Sequence, residues 1–223
     1  MPEAEIRKAL KSDLKDVEYI CRMTAGPLSC ENELVGKIIA KTYSTYYIEE
    51  ECNNCFVLAS GEKAVGYILS SLDAGVFKKV YRKKYVPQIF ALSKKDGVLA
   101  WLLPIPYMFF KKNYPAHMHI DILPDFQGSG NGTKLVETLL SELKSRGVRG
   151  VCLCVGADNA RAIAFYKKRG FKILLKTPGG IYMGQKLSEV LFCYEKTRNC
   201  NNTRRGPPRH DICRLFAFTP RRT

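Results

Sequence analysis

The sequence predicts an α/β fold of the α+β type, and three observations carry that prediction. Residues His117–Leu123 alternate polar and apolar side chains, the period of a strand with two unlike faces. A glycine-rich turn, Gln127–Gly132, leads into an amphipathic helix from about Gly130 to Arg146, with Leu135, Val136, Leu139, Leu140 and Leu143 as its stripe and Gly147 placed to end it. A second strand–turn–helix unit follows. Val151–Val155 is rich in β-formers, Asp158 or Asn159 is a natural N-cap, Ala160, Ile163 and Ala164 make the apolar stripe, and Gly170 is the stop.

Strand, glycine-rich turn and helix together aim bare backbone N–H groups and a helix N-terminus at one point, which suits a phosphate-bearing ligand. Spacing narrows the ligand. A Walker loop ends in Gly-Lys-Ser/Thr, whereas Gly132 is followed by Thr133-Lys134. A dinucleotide fingerprint reads G-x-G-x-x-G, whereas Gly128, Gly130 and Gly132 alternate with single residues. The segment resembles Q/R-x-x-G-x-G/A, the coenzyme A pyrophosphate loop of the GNAT superfamily of N-acetyltransferases. The second unit resembles that superfamily's other signature: a strand, Asn159, a short helix with Tyr166 two turns on, then Gly170-Phe171. The order and separation of the two motifs also agree.

The resemblance covers residues 4–187 and implies a mixed, mostly antiparallel central sheet of about six or seven strands flanked by helices. Ala4–Ala9 is similar to the first strand, with Asp13 opening a helix through Cys21. Ala64–Ser70 is similar to the strand carrying Val-Gly-Tyr, and Ile181–Leu187 to the closing strand. Tyr114–Pro124 resembles the branch that includes the acetyltransferase-like domain of some O-GlcNAc hydrolases. Residues 1–187 then form the domain, and 73–113 are an insertion before the central strand. The insertion is basic and aromatic (Lys78, Lys79, Arg82, Trp101, Tyr107, Phe109, Phe110), too apolar for a disordered loop, and is expected to pack over the cleft as helices. It is either a passive layer or a substrate-shaping lid. Residues 188–223 are rich in Arg, Asn, Pro and Thr, and Gly206-Pro207-Pro208 breaks regular structure, so a basic, poorly ordered tail is expected.

Composition sets the remaining bounds. At 223 residues the chain sustains one domain with a full core. Met1 leads straight into Pro2-Glu3-Ala4-Glu5, so no secretory signal is expected, and the location is expected to be cytoplasmic and compatible with the nucleus. The longest apolar stretch, Val98–Phe110, is interrupted by Pro104 and Pro106, which argues against a membrane role. Nine cysteines without a signal read as reduced thiols. Cys52-Asn53-Asn54-Cys55 lacks a second tight pair, and Cys200, His210 and Cys213 are irregularly spaced, so no metal is expected. A net charge of +15 raises nucleic acid as a partner. The basic residues are scattered, however, with no interleaved aromatic platform, and a basic surface also suits a ligand with several phosphates, so nucleic acid is not expected as the main partner.

The resemblance also distributes the chemistry. Acetyl-CoA is the implied co-substrate. Its pyrophosphate is expected on the N–H groups of Gly128, Ser129, Gly130, Asn131, Gly132 and Thr133, with Gln127 closing the turn. Ser129 and Asn131 stand where basic and aliphatic residues are more usual, a change expected to weaken affinity. The pantetheine arm is expected along Ile120, Asp121 and Ile122, with Asn159 as a further partner and the Ile122 N–H as oxyanion donor. Tyr166 maps onto the tyrosine that protonates the departing thiolate. Related ribosomal-protein acetyltransferases carry a carboxylate where Cys154 stands, and a thiol with pKa of about 8.5 is a poor substitute.

Alternation of the central strand offers other bases. His117, His119 and Asp121 share one face, while Met118, Ile120 and Ile122 share the other and are expected to pack on the Leu135–Leu143 helix. His119, with an intrinsic pKa near neutrality, and Asp121 are the candidates, and Asp158 is the reserve. The expected function is acetyl transfer to a primary amine by direct attack on the thioester. The acceptor stays open among small amines, amino sugars, lysines and protein N-termini. The alternative, motivated by Cys154, is a coenzyme-binding or protein-interaction module with weak or no turnover.

Overall fold

A computed structural model describes residues 3–187, so the tail expected at 188–223 lies outside the described residues. The chain opens with β1 (Glu5–Lys8), a 3-10 turn over Lys11–Asp13, and α1 (Leu14–Thr24). Asp13 stands at the N-cap of α1, as the sequence predicts, and the helix runs on past Cys21 to Thr24. The Asp13 carboxylate accepts from the Leu10 N–H at 2.7 Å and from Arg7 at 2.7 and 2.8 Å, so it closes the tight turn and ties it to β1.

Helices α2 (Pro27–Glu31), α3 (Glu33–Tyr43) and α4 (Thr45–Glu50) precede the hairpin of β2 (Phe56–Ser60) and β3 (Lys63–Ser71), whose turn holds Gly61 at φ 60°. Asn32 caps α3 by accepting from the Val35 N–H. Residues 73–113 are helical, as the sequence predicts: α5 (Ala74–Lys84), α6 (Val86–Leu92), α7 (Lys94–Leu102) and α8 (Ile105–Phe110). Asp73 caps α5 by accepting from Gly75 and Val76, and Pro87 and Pro106 sit in first turns, where a missing N–H costs nothing. Then come β4 (Ala116–Ile122), α9 (Asn131–Ser145), β5 (Gly150–Val155), α10 (Ala160–Lys168), β6 (Lys172–Thr177) and β7 (Gly180–Lys186).

The described strands form one seven-stranded sheet in the order β1-β2-β3-β4-β5-β7-β6. Every neighbouring pair is antiparallel except β4 and β5, which are parallel. Both faces are covered. Met118 and Ile122 of β4 pack with Phe56, Leu58 and Ile68 under the α9 stripe, as the alternation predicts. On the other face α1, α4, α5 and α6 bury Tyr46, Tyr47, Phe77, Tyr81 and Tyr85 against Val57, Tyr67 and Leu69. β3 is therefore buried continuously from Ala64 to Ser71 although its neighbours are antiparallel, because helices cap it above and below.

The β4–β5 pairing is the unusual one. It consists of Ala116↔Val151 and His117↔Cys152, and does not continue although both strands run on. Tyr107 of α8, 2% exposed, lies over this point. Its ring stacks on His117 at 4.5 Å and meets Tyr182 of β7 edge-on at 5.7 Å, and it packs with Cys152. The insertion is thus built into the sheet where the two strands part. Tyr107→Ala should cost about 3–5 kcal/mol, the range for truncating a buried aromatic, measured by chemical denaturation. A cost below about 1 kcal/mol would show that the insertion packs on the sheet without supporting it.

Candidate active site

The end of β4 shapes the first wall of the site. A 3-10 turn at Pro124–Phe126 leads into the glycine loop, where Gly128 has φ 87° and Gly130 φ 82°. Both lie in the left-handed region that favours glycine, and a Cβ at either would meet nothing within 4 Å. The conformation demands these two glycines, and open space lies beside them. Gln127 Nε2 donates to the Ile122 carbonyl at 2.7 Å, closing the turn. Asn131 Nδ2 donates to the Phe126 carbonyl and to Ser129 Oγ, each at 3.0 Å. Ser129 and Asn131 are therefore the staple that holds the loop. The first-turn N–H groups of α9 have no intrahelical partner and gather at its positive end.

Between this loop and α10 lies a cleft of about 530 Å³, walled on the far side by Asn159, Ala162, Phe165 and Arg169. At Ile122, Gln127 and Asn159 it meets a smaller space of about 270 Å³ bounded by Thr24, Ile120 and Asp121. The Asn159 side chain accepts from the Ala162 N–H at 3.0 Å, so it caps α10 and lines both spaces.

Backbone alternation on β4 decides which groups face this space. The Leu123 N–H donates to the Val65 carbonyl at 2.9 Å, and the β3–β4 register pairs Tyr67 with Asp121 and Leu69 with His119. In an antiparallel ladder, hydrogen-bonded and non-bonded pairs alternate. His119 and Asp121 thus spend their main-chain groups on β3, whereas Ile120 and Ile122 turn theirs toward β5, where the pairing has stopped. Of the three residues expected along the pantetheine arm, Ile120 and Ile122 turn their main-chain groups to the open side, and Asp121 turns its own to β3.

Asp121 enters through its side chain. The Tyr67 hydroxyl, from the facing position on β3, donates to Asp121 Oδ2 at 2.5 Å. Burial raises the Asp121 pKa to about 6, and the hydrogen bonds from Tyr67 and Thr24 hold it from rising further. His119 is half-buried between Tyr43 and Tyr47, and burial lowers its pKa to about 4, far from the neutral value an unperturbed imidazole would have. His117 is fully buried among Tyr47, Phe77 and Tyr107, with its pKa driven well down and both ring nitrogens unpartnered among the described residues. The His/Asp face is thus largely roofed by aromatic rings and opens toward the cleft at Asp121.

Tyr166, on α10, is 8% exposed and packs edge-on with Phe165 and Phe171. Burial pushes its phenol upward, so the proton is retained, and the charge of Asp121 adds to the shift. Among the described residues its hydroxyl makes no hydrogen bond. Cys154 is half-buried opposite Tyr182 on β7, and burial raises its thiol, which leaves it neutral. Asp158 is exposed in the turn before α10 and is not among the residues lining either space. Thr24, Tyr67, Phe165, Arg161 and Arg169 are cleft or supporting residues that the sequence motifs do not single out. Of these, Tyr67 could have been found, because Val-Gly-Tyr marks its strand and a neighbouring antiparallel strand places it opposite a charged residue.

Residues 27–171 match the acetyltransferase (GNAT) family. The chain belongs to that family. It is 25% identical to protein O-GlcNAcase of Mus musculus over 193 residues, 78% of this chain and 20% of the relative, in line with the resemblance of Tyr114–Pro124. It is 49% identical to ribosomal protein bS18-alanine N-acetyltransferase of Salmonella typhimurium over 53 residues, 24% of this chain and 36% of that one. An uncharacterised N-acetyltransferase of Methanocaldococcus jannaschii is 44% identical over 63 residues, 28% of each chain. The matches thus span only about a fifth to a third of these curated relatives. The crystal structure of SsHAT superposes with a TM-score of 0.75 at 32% identity, over 84% of this chain and all of that one. PaiA N-acetyltransferase from Thermoplasma acidophilum, solved in complex with coenzyme A, shares the fold at 16% identity and a TM-score of 0.55, over 82% of this chain and 99% of that one.

The raised Asp121 pKa makes a stability prediction. The group rises from its ordinary 3.8 to about 6 on folding, so its charge opposes folding as pH climbs through that window. Asp121→Asn should therefore melt at least ~2 °C higher than wild type at pH 8, with the difference closing below pH ~4. A variant that melts lower at pH 8 would mean that the bond from Tyr67 to the charged carboxylate outweighs its burial.

Proposed function

We propose that this chain transfers an acetyl group from acetyl-CoA to a primary amine by direct attack on the thioester. The observation that carries the reading is the parting of β4 and β5, which leaves the Ile120 and Ile122 main chain open between a glycine-loop cleft and Asp121. The residues present fit a nucleotide thioester: first-turn N–H groups and two positive-φ glycines suit a diphosphate, and an open strand edge suits an extended pantetheine arm. When bound, acetyl-CoA supplies an acetyl thioester.

The chain's own residues divide the work. The N–H groups from Gly128 to Thr133 hold the diphosphate against the N-terminus of α9. The Ile122 N–H takes the negative charge that develops on the carbonyl oxygen, worth about 3 kcal/mol for one such donor. Asp121, half charged near pH 6, accepts the proton from the attacking amine. Tyr166, which keeps its proton, gives it to the leaving sulfur. His119 and His117, both neutral, take no proton in this scheme and sit in the aromatic layer beside Tyr43, Tyr47 and Tyr107. The ribosomal-protein relatives make a peptide N-terminus the first acceptor to try.

Cys154 favours a second reading, a coenzyme-binding module without turnover, because a neutral thiol stands where related enzymes place a carboxylate. The two readings separate in one assay. Acetyl-CoA should raise the melting temperature under both, but free-thiol release with a panel of amines occurs only under the first. Gly130→Asp should remove the thermal shift, since it sets a carboxylate at positive φ beside the diphosphate; a retained shift would place the coenzyme elsewhere.

Tyr166→Phe should lower kcat by about 10² with little change in coenzyme Kd. Asp121→Asn should lower kcat/KM by a similar factor and remove an acidic limb centred near pH 6. If that limb persists in the variant, another group or solvent takes the proton.

A further inference from the structure

The glycine loop is unusual in what it lacks. From Gln127 to Thr133 it carries no charged side chain, so the loop itself brings no full positive charge to the space beside it. Among the described residues lining the cleft, the charged ones are Arg161 and Arg169. Arg161 is exposed, but Arg169, just beyond α10, is half-buried and held in place. Its Nη1 donates to the Phe165 carbonyl at 3.0 Å, its Nη2 donates to Thr133 Oγ1, and its guanidinium lies 3.5 Å over the Phe165 ring. Each Nη carries two N–H groups, so each keeps one donor uncommitted. Nε is buried with no acceptor among the described residues. A guanidinium short of acceptors, fixed over an aromatic face and bonded to the first turn of α9, is poised for an anion at that turn.

We infer that Arg169 is the countercharge to the donor's diphosphate, and that it makes the site prefer a nucleotide-bearing thioester over one carried on bare pantetheine. The inference rests on acetyl-CoA being the donor. The helix terminus supplies only a partial positive charge, and a diphosphate carries full negative ones. The planar fork of arginine matches phosphate oxygens in a way a lysine does not. Because Phe165 and Thr133 already fix the fork, little side-chain entropy is lost when the anion arrives. Thr133 thereby does two things: its N–H belongs to the α9 terminus, and its hydroxyl aims Arg169 across the cleft.

The test is calorimetric affinity for coenzyme A, 3′-dephospho-coenzyme A and pantetheine, in wild type, Arg169→Gln and Arg169→Lys, with the melting temperature of each free protein. Arg169→Gln should weaken both nucleotide ligands alike by roughly 10- to 100-fold, the scale of a charged hydrogen bond, and leave pantetheine unchanged. Arg169→Lys should recover only part of the loss. Unchanged affinity for coenzyme A in Arg169→Gln overturns the inference. So does an equal loss for all three ligands, which would make Arg169 a structural clamp between α10 and the loop, and so does a loss confined to coenzyme A, which would move it to the 3′-phosphate. Wild type failing to bind coenzyme A would instead sink the donor assignment itself, and the inference with it.

Discussion

Everything in this site depends on two parallel strands that pair through Ala116–Val151 and His117–Cys152 and then separate. An unpaired strand edge inside a protein is costly, because its N–H and C=O groups have left water without gaining partners. Here the edge opens on a cleft, which Ile120 and Ile122 line. The divergence is reinforced from outside the sheet. Tyr107, delivered by the insertion, stacks on His117 and packs with Cys152 and Tyr182 at the point of separation. The two helices that frame the cleft, α9 and α10, each follow one of the diverging strands. The strand ends therefore set the distance between the glycine loop and Asn159.

Burial on both sides of the sheet gives the site its electrostatics. The aromatic layer of α3, α4, α5 and α8 lies over the His/Asp face and removes water from it. The same desolvation acts with opposite sign on the two kinds of group, lowering His119 and raising Asp121. A site that looks histidine-rich in sequence thus becomes one whose carboxylate has the pKa suited to accepting a proton near neutrality. Such a carboxylate opposes folding once it is charged.

The motifs around the glycine-loop cleft were legible because they are local. Gly128 and Gly130 are demanded by backbone angles, Asn159 by a helix cap, and the α9 stripe by the period of the helix, all written within a few residues of each other. The insertion was legible as helices from its apolar content. Helices α2–α4 and strands β2 and β6 were not read, since their stability comes from partners distant in the chain: Glu51, for example, receives the hydroxyls of Tyr46 and Ser71 and the Leu72 N–H. The pKa values of His119 and Asp121 were illegible for the same reason. They depend on Tyr43 and Tyr47 from two helices and on Tyr67 from the facing strand, which no spacing along β4 encodes. Arg169 escaped notice because its meaning lies in Thr133, a residue on another helix.

The most direct test of the account is residue-resolved amide hydrogen exchange along β4, without and with saturating acetyl-CoA. The N–H groups of His119 and Asp121 are committed to β3, whereas those of Ile120 and Ile122 face the gap. The account predicts that acetyl-CoA slows exchange at Ile120 and Ile122 by much more than at His119 and Asp121. An alternating pattern of that kind would place an extended ligand on the open strand edge. Uniform protection of all four, or none at Ile120 and Ile122, would contradict the claim that the gap between β4 and β5 is the donor site.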